Sequence, residues 1–156
     1  MTLATGDLAP DFTVPDQSGT PVTLSTLLAT GPVVLFFYPA AETPACTTEA
    51  CHFRNLAGEF AALGAHRIGI SKDSVSKQAG FATHHQLDYP VLSDPAGEVA
   101  ASFGVKPALF GKIGPLQRTT FVIGTDGRVL RVIEGMFKAE IHADGALEAL
   151  RDVVKE

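Results

Sequence analysis

The feature that most constrains the fold is a run of large apolar residues, VVLFFY, at positions 33 to 38. Polar residues do not alternate through this run, which is the pattern of a β-strand covered on both faces. A similar stretch, RIGIS, occupies positions 67 to 71. Because a strand buried on both faces needs other layers above and below it, the two runs predict a sheet with helices on both sides.

The segments around these strands carry the patterns of hairpins, helices and a further strand. Two β-branched runs flank Asp126-Gly127 in TTFVIGTDGRVLRVI, which is a strong hairpin signal. A less regular hairpin is predicted in FTVPDQSGTPVTL, where Pro15 and Pro21 interrupt the strand pattern. The other predicted elements are helices over 44–63, 74–87 and 98–103, a strand over 89–92, and an amphipathic C-terminal helix near 146–154.

This order of elements predicts an α/β protein with a thioredoxin-like fold, in which a mixed central sheet is flanked by helices and extended by an N-terminal β-hairpin. The 156 residues, 46% of them apolar and 19% charged, suit a single domain spanning residues 1–156. The formal net charge of −5 argues against nucleic acid or an anionic membrane as the main partner, since both favour a basic surface.

The ends and apolar runs of the chain predict a cytoplasmic protein. The start, MTLATGDLAPDF, lacks the basic and apolar regions of a signal peptide. The longest apolar run, PVVLFFYPAA, is far shorter than the ~20 residues that cross a bilayer. Thiols are kept reduced in the cytoplasm, so a catalytic, metal-binding or inert role suits the two cysteines, Cys46 and Cys51, better than a structural disulfide.

Cys46 falls in the first turn of the helix predicted to begin at Pro44. Thr43 occupies the N-cap position, and proline suits the first helical position because its missing N–H has no helical partner there. Free backbone N–H groups and the positive end of the helix dipole stabilise a thiolate at this place. Cys46 also begins an apolar stripe at helical spacing, so we expect it to face the core at the carboxyl end of the first strand.

Cys51 lies on another side of the same predicted helix. Five residues at ~100° each place it roughly 140° around the helix axis from Cys46, with a Cα separation near ~8.6 Å. A disulfide needs about 4.4–6.8 Å between Cα atoms. The two cysteines therefore cannot form a disulfide while the helix stays wound, and any reaction between them requires local unwinding.

The cysteine pair is compatible with other roles. Free cysteine often behaves as a small buried hydrophobe, and two on one helix are compatible with that role. A zinc site needs four ligands, and only His52 lies near the thiols, with His84-His85 as a weak second half, so no metal site is predicted. The C-x-x-C spacing of dithiol oxidoreductases is absent. The position of Cys46 at a helix start favours chemistry over packing.

The sequence around the thiols resembles a known family. Pro39, Thr43 and Cys46 form P-x-x-x-T-x-x-C, which resembles the peroxidatic signature of the peroxiredoxins. TPACTTEACHFRN, with its second cysteine five positions after the first, resembles the bacterioferritin-comigratory or Q-type branch, an atypical two-cysteine subfamily. The similarity continues through GDLAPDFTVPDQSGTPVTLS, LSDPAGEVAASFGV and LQRTTFVIGTDGRV, and so covers nearly the whole chain.

The resemblance implies a thiol peroxidase that reduces hydrogen peroxide and organic hydroperoxides without a cofactor. Cys46 would attack the peroxide, Cys51 would then form an intramolecular disulfide with it, and thioredoxin or glutaredoxin would reduce that disulfide. Arg118 would stabilise the thiolate and the transition state, Thr43 would hydrogen-bond the thiolate or the peroxide, and Pro39 would shape and shield the pocket. The protein is expected to be a monomer or a weak homodimer.

Some details stay open from the sequence. Glu49 either orients Arg118 or is a solvated glutamate that complements the helix dipole. Ala45 stands where this branch commonly has glycine, and Ala40-Ala41 replaces a more polar pair, which bears on rate and peroxide preference.

Two other functions compete with the peroxidase. A thiol–disulfide oxidoreductase acting on proteins would want C-x-x-C and would have no evident use for Arg118. A redox sensor or holdase would use the same disulfide as a switch. Repeated turnover separates a peroxidase from a sensor, which is oxidised once per molecule.

Overall fold

The computed structural model describes residues 2–109 and 113–155. Its strands are, in chain order, β1 (Thr13–Pro15), β2 (Pro21–Thr23), β3 (Val33–Phe37), β4 (His66–Ser71), β5 (Val91–Ser93), β6 (Pro107–Leu109), β7 (Ile113–Leu116), β8 (Thr119–Ile123) and β9 (Val129–Glu134). Its helices are α1 (Leu24–Leu28), α2 (Pro44–Asn55), α3 (Ala57–Ala62), α4 (Val75–His84), α5 (Glu98–Ser102) and α6 (Glu140–Lys155).

A five-stranded sheet in the order β5-β4-β3-β8-β9 forms the centre of the fold. β3 pairs in parallel with β4 and antiparallel with β8, so the sheet is mixed. β1 and β2 form a separate antiparallel hairpin near the N-terminus. The predicted architecture is therefore confirmed, including its N-terminal hairpin extension.

β3 is buried along its whole length because helices cover both faces of the sheet. Its side chains alternate between two hydrophobic cores, as successive residues of an extended strand must. Val34 and Phe36 belong to the core that includes residues of α2, α4 and α6. Val33, Leu35 and Phe37 belong to the core that includes residues of α1 and α5.

Aromatic stacking fixes α2 over β3. The rings of Phe36 and Phe53 lie with their centroids 4.1 Å apart and 6° between their planes. Such a pair contributes about 0.5–1.5 kcal/mol beyond the burial of its area. The stack holds the last turn of α2 over the sheet, and the short loop from Tyr38 to Thr43 places the start of α2 near the carboxyl end of β3. Open α/β sheets tend to place their functional sites at this end.

The helix predicted over 44–63 is wrong as a single element. The backbone at Leu56, with φ of −96° and ψ of 19°, ends α2 and begins α3. The sequence prediction also missed α1 and the antiparallel pair β6–β7. α1 has five residues and β6 has three, so neither is long enough to show a clear period, and Pro107 and Pro115 obscure the strand pattern.

The C-terminal helix is longer than predicted, because α6 begins at Glu140 and not near Ala146. The buried side of its first turns is formed by His142 and Ala143, so no stripe of large apolar side chains marks the start. Within residues 2–109 and 113–155, no helix is both long enough and apolar enough to cross a membrane.

Candidate active site

The candidate site lies where the chain passes from β3 into α2. Thr43 is the N-cap residue of α2, with extended backbone angles of −85° and 152°, and proline follows in the first turn, as predicted. The Thr43 hydroxyl does not accept a helix N–H. It donates instead to the carbonyl oxygen of Ala40 at 2.7 Å, and so closes the loop that leads into the helix.

Cys46 lies in the first turn of α2 with only 1% of its surface exposed. Nη2 of Arg118 donates to its sulfur at 3.4 Å, across 72 positions of sequence. Sheet pairing explains this contact: Phe37 at the end of β3 is paired with Thr119 at the start of β8. The residue before Thr119 therefore lies beside the loop that carries β3 into α2.

Arg118 is fixed by partners on several sides. Besides the sulfur, Nη1 donates to Oε1 of Glu49 at 2.6 Å and Nε donates to the carbonyl oxygen of Met136 at 3.2 Å. Burial by itself lowers the pKa of Arg118, but the negative charges of Glu49 and Cys46 outweigh burial and raise it. The planar guanidinium thus holds a permanent positive charge against the sulfur in one orientation, which stabilises an anion there.

Glu49 is fully buried, with none of its surface exposed. Burial raises its pKa to about 8, although the charge and hydrogen bond of Arg118 act in the opposite direction. The interpretation of Glu49 as a solvated glutamate is therefore wrong, and its carboxyl orients Arg118. With this pKa the carboxyl can hold a proton near neutral pH, while the guanidinium donates to the Cys46 sulfur.

A buried polar network lies behind Glu49. Nε2 of His142 faces the carbonyl oxygen of Gly135 at 2.9 Å and so carries the proton, which leaves Nδ1 to accept from the Thr120 hydroxyl at 2.7 Å. Nδ1 also lies 3.7 Å from Oε2 of Glu49, an oxygen with no hydrogen-bond partner in the described part of the chain. Burial lowers the pKa of His142 to about 4, and the charge of Arg118 adds to this effect.

Cys51 is half-buried on the same helix as Cys46, and both thiols are free. This arrangement agrees with the helical geometry, which keeps the two sulfurs from bonding while α2 is wound. His52 is half-buried and its Nε2 lies 2.8 Å from Oδ1 of Asp144, at the start of α6. α2 is therefore joined to α6 by a polar contact one residue beyond the second thiol.

Comparison with known proteins decides the family. The chain matches the AhpC/TSA family over residues 5–132. It is 40% identical to the chloroplastic peroxiredoxin Q of Sedum lineare over 148 residues, which are 95% of this chain and 78% of that protein. The chain belongs to the peroxiredoxin family. As a peroxiredoxin, it is an oxidoreductase of the peroxidase type.

Two solved structures resemble this peroxiredoxin closely. The crystal structure of peroxidoxin BcpB from Mycobacterium tuberculosis matches with a TM-score of 0.91 at 60% identity, covering 97% of this chain and 98% of that one. The bacterioferritin comigratory protein of Xanthomonas campestris, studied for alkyl peroxide reduction, matches with a TM-score of 0.85 at 30% identity, covering 97% and 99%. The predicted branch and the thioredoxin-like fold are both confirmed.

The peroxiredoxin brings some predicted site residues together and leaves others apart. Cys46 and Arg118 are in contact. Thr43 lies in the loop before them with its hydroxyl turned to a backbone carbonyl, and Pro39 is half-buried where that loop leaves β3. Cys51 is on the same helix as Cys46 but does not bond to it.

The sequence did not point to two residues of this site, one beside Arg118 and one beside Glu49. Met136 accepts from Arg118 through its carbonyl oxygen, and its sulfur lies 3.1 Å from the Arg118 backbone nitrogen. His142 supports the far side of Glu49. No local pattern marks Met136, and the predicted start of the C-terminal helix near Ala146 left His142 outside that helix.

Proposed function

We propose that this peroxiredoxin reduces peroxides by a two-cysteine cycle within a single chain, with Cys46 as the attacking residue and Cys51 as the resolving residue. The observation that carries the proposal is the 3.4 Å contact between Nη2 of Arg118 and the Cys46 sulfur. A buried guanidinium held by Glu49 cannot turn away from the sulfur to solvent. Such preorganised charge stabilises an anion where negative charge is present or develops.

In the first step, the Cys46 thiolate attacks the terminal oxygen of a hydroperoxide, ROOH. The S–O bond forms, the O–O bond breaks, and the departing RO⁻ takes a proton from solvent to leave as water or an alcohol. The sulfur is oxidised to a sulfenic acid and the peroxide is reduced. Arg118 stabilises the thiolate and the charge on the departing oxygen. The Thr43 hydroxyl donates to Ala40, which leaves its oxygen free to accept from the peroxide O–H, and Pro39 shields the site.

In the second step, the Cys51 thiolate attacks the sulfenic sulfur of Cys46, forming the disulfide and releasing hydroxide, which is protonated to water. The first turns of α2 must unwind for the sulfurs to meet. Unwinding breaks, among other helix bonds, those from the Thr47 N–H to the Thr43 carbonyl at 2.9 Å and from the Thr48 hydroxyl to the Pro44 carbonyl at 3.1 Å.

In the third step, a dithiol protein of the thioredoxin or glutaredoxin type reduces the disulfide and restores both thiols. Hydrogen peroxide and organic hydroperoxides are both proposed substrates, the latter supported by the alkyl peroxide reduction studied in the Xanthomonas campestris relative. We assign the enzyme to the cytoplasm, as one domain acting as a monomer or a weak homodimer.

The test is NADPH consumption in an assay coupled through thioredoxin and thioredoxin reductase. Wild type should turn over repeatedly, and Cys46→Ser should lose turnover entirely. Cys51→Ser is the matched control, because it removes a thiol from the same helix. It should still reduce one equivalent of peroxide, then stall with dithiol reductants and over-oxidise sooner.

Two outcomes would overturn parts of the proposal. Undiminished multi-turnover activity in Cys51→Ser would remove the resolving role. Consumption of a single equivalent of peroxide by wild type, with thioredoxin and glutaredoxin systems both supplied, would instead support a redox sensor or holdase that uses the same disulfide.

A further inference from the structure

Two histidines and a carboxylate converge outside the thiol site. Nδ1 of His84 and Nε2 of His85 each lie 2.8 Å from a different oxygen of Glu42. The three ligand atoms are all within 4.8 Å of one another. Glu42 belongs to the loop before α2, whereas the histidines end α4, so two separate segments supply the cluster.

The convergence of the histidines depends on the end of α4. Neighbouring residues inside a helix point ~100° apart, so adjacent side chains do not normally face one group. His85 is the C-cap residue, with φ of −106° and ψ of 8°, and this change of backbone turns its ring toward the same carboxylate. Its ring also packs on Phe81, with centroids 5.3 Å apart, and its carbonyl oxygen accepts from Nη1 of Arg54 at 2.7 Å. His85 is thus held in place before any ion arrives.

The donor set suits a transition metal better than a hard cation. Glu42 presents both of its side-chain oxygens to the histidines, one to each ring. Two imidazole nitrogens and one carboxylate form a set that zinc proteins use, with a fourth position left for water. We propose that Glu42, His84 and His85 bind one divalent transition-metal ion of the Zn²⁺ class.

To admit the ion, the three ligand atoms, which lie within 4.8 Å of one another, must adjust to the spacing of a tetrahedron. Zinc–nitrogen and zinc–oxygen bonds of about 2.0–2.2 Å in a tetrahedron place neighbouring ligand atoms about 3.4 Å apart. The 2.8 Å contacts would therefore widen by roughly half an ångström. The hydrogen on each of these histidine nitrogens would move to the other ring nitrogen or to solvent, because a metal binds the free lone pair of an imidazole. The side chains of Glu42 and His84 are 47% and 66% exposed, so solvent and the ion reach them and they are free to adjust.

Metal binding would also act on the thiol cycle, a consequence that rests on the proposed function. Glu42 immediately precedes Thr43, the N-cap of α2. An ion that joins Glu42 to the end of α4 ties down the loop from which α2 must unwind. Bound metal therefore slows formation of the disulfide between Cys46 and Cys51, while the reaction of Cys46 with peroxide, which needs the wound helix, is slowed less.

Zinc binding is tested first in the full chain carrying Cys46→Ser and Cys51→Ser, so that thiolates cannot act as ligands. Calorimetric titration with Zn²⁺ alone should show one ion per chain. Adding Glu42→Gln, His84→Ala or His85→Ala should each weaken binding at least about tenfold, since each removes one of three protein ligands. His52→Ala is the matched control, because His52 forms a 2.8 Å contact with a single carboxylate, and it should change nothing.

The site is overturned if no stoichiometric binding occurs, if the three variants bind like their parent, or if His52→Ala weakens binding as much as they do.

The effect on the cycle is tested with both cysteines present, by the rate of disulfide formation after peroxide treatment. Zinc should slow disulfide formation in wild type and affect it less in Glu42→Gln. Equal slowing of both overturns the effect on the helix, because thiolate ligation then accounts for it. If wild type never forms the disulfide without metal, the proposed function fails and the zinc titration still stands.

Discussion

Nη2 of Arg118 lies 3.4 Å from the sulfur of Cys46, although 72 positions separate the two residues. The contact exists because β3 and β8 pair antiparallel, so that the residue before β8 meets the loop after β3. Glu49, one turn beyond Cys46 on α2, holds the other arm of the same guanidinium. The Cys46 sulfur, the Arg118 guanidinium and the Glu49 carboxyl therefore form one connected group.

Removing this countercharge should slow the first oxidation. In Arg118→Ala, the second-order rate of Cys46 oxidation by hydrogen peroxide should fall about 100- to 1000-fold, the range found when one preorganised donor is lost. Stopped-flow fluorescence or competition with a second peroxidase measures this rate. Arg131→Ala is the control, since Arg131 pairs with Asp152 on the exposed surface, and its rate should stay at the wild-type value. An unchanged rate in Arg118→Ala would reduce Arg118 to a structural role.

The buried carboxyl of Glu49 should make stability fall with rising pH. Its pKa is raised from 4.5 to about 8, so between these values the native state holds a proton that the unfolded state has lost. The free energy of unfolding therefore decreases as the pH rises through this window, by about 1–2 kcal/mol between pH 6.5 and 8. Below pH 6.5 His142, whose pKa is lowered to about 4, acts in the opposite direction.

Glu49→Gln isolates this effect, because a glutamine side chain still accepts from Arg118 and does not titrate. Urea unfolding of wild type and Glu49→Gln at a series of pH values should show a steeper decline in wild type between pH 6.5 and 8. Parallel curves for the two proteins would mean that Glu49 is already ionised at the lower pH.

His142 should stabilise the protein through its buried hydrogen bonds. His142→Ala leaves the Thr120 hydroxyl and the Gly135 carbonyl without their partner and opens a cavity. The free energy of unfolding should fall by about 2–5 kcal/mol. His52→Ala, which breaks a contact with an exposed carboxylate, should lower it by less than about 1 kcal/mol. Urea unfolding at pH 7 compares the two, and equal losses would contradict the distinction between them.

Loss of the Thr43 hydroxyl should slow Cys46 oxidation more than loss of the rest of the side chain. It donates to the Ala40 carbonyl and closes the loop before Cys46. Thr43→Ser keeps this donor and should oxidise at close to the wild-type rate. Thr43→Val keeps the shape and loses the donor, so oxidation should slow about three- to tenfold, as expected for one hydrogen bond. Equal rates for Ser and Val would show that the hydroxyl has no part in the reaction.

The resolving role of Cys51 and the shielding role of Pro39 remain predictions from the resemblance. The predicted N-cap position of Thr43 is confirmed, although its hydroxyl donates to the Ala40 carbonyl and not to a helix N–H. The contact of Cys46 with Arg118 was expected from the motif, but the geometry that produces it was not. Glu49 had two interpretations from the sequence, and only its burial decided between them.

By itself the sequence determined one central strand and the start of the helix that carries Cys46. An unbroken apolar run specified β3, and Thr43 with Pro44 specified where α2 begins and hence the place of Cys46 in its first turn. These features depend on interactions between residues within a few positions of one another, so the sequence alone specifies them.

Only the tertiary structure decided which distant groups meet. The pairing of β3 with β8 delivers Arg118 to the sulfur, and the packing of α6 delivers His142 to Glu49. Likewise, the end of α4 brings His84 and His85 to Glu42. Strand register and helix packing are set by the burial of whole faces, which no single stretch of sequence contains, so these contacts could not be read from the residues that make them.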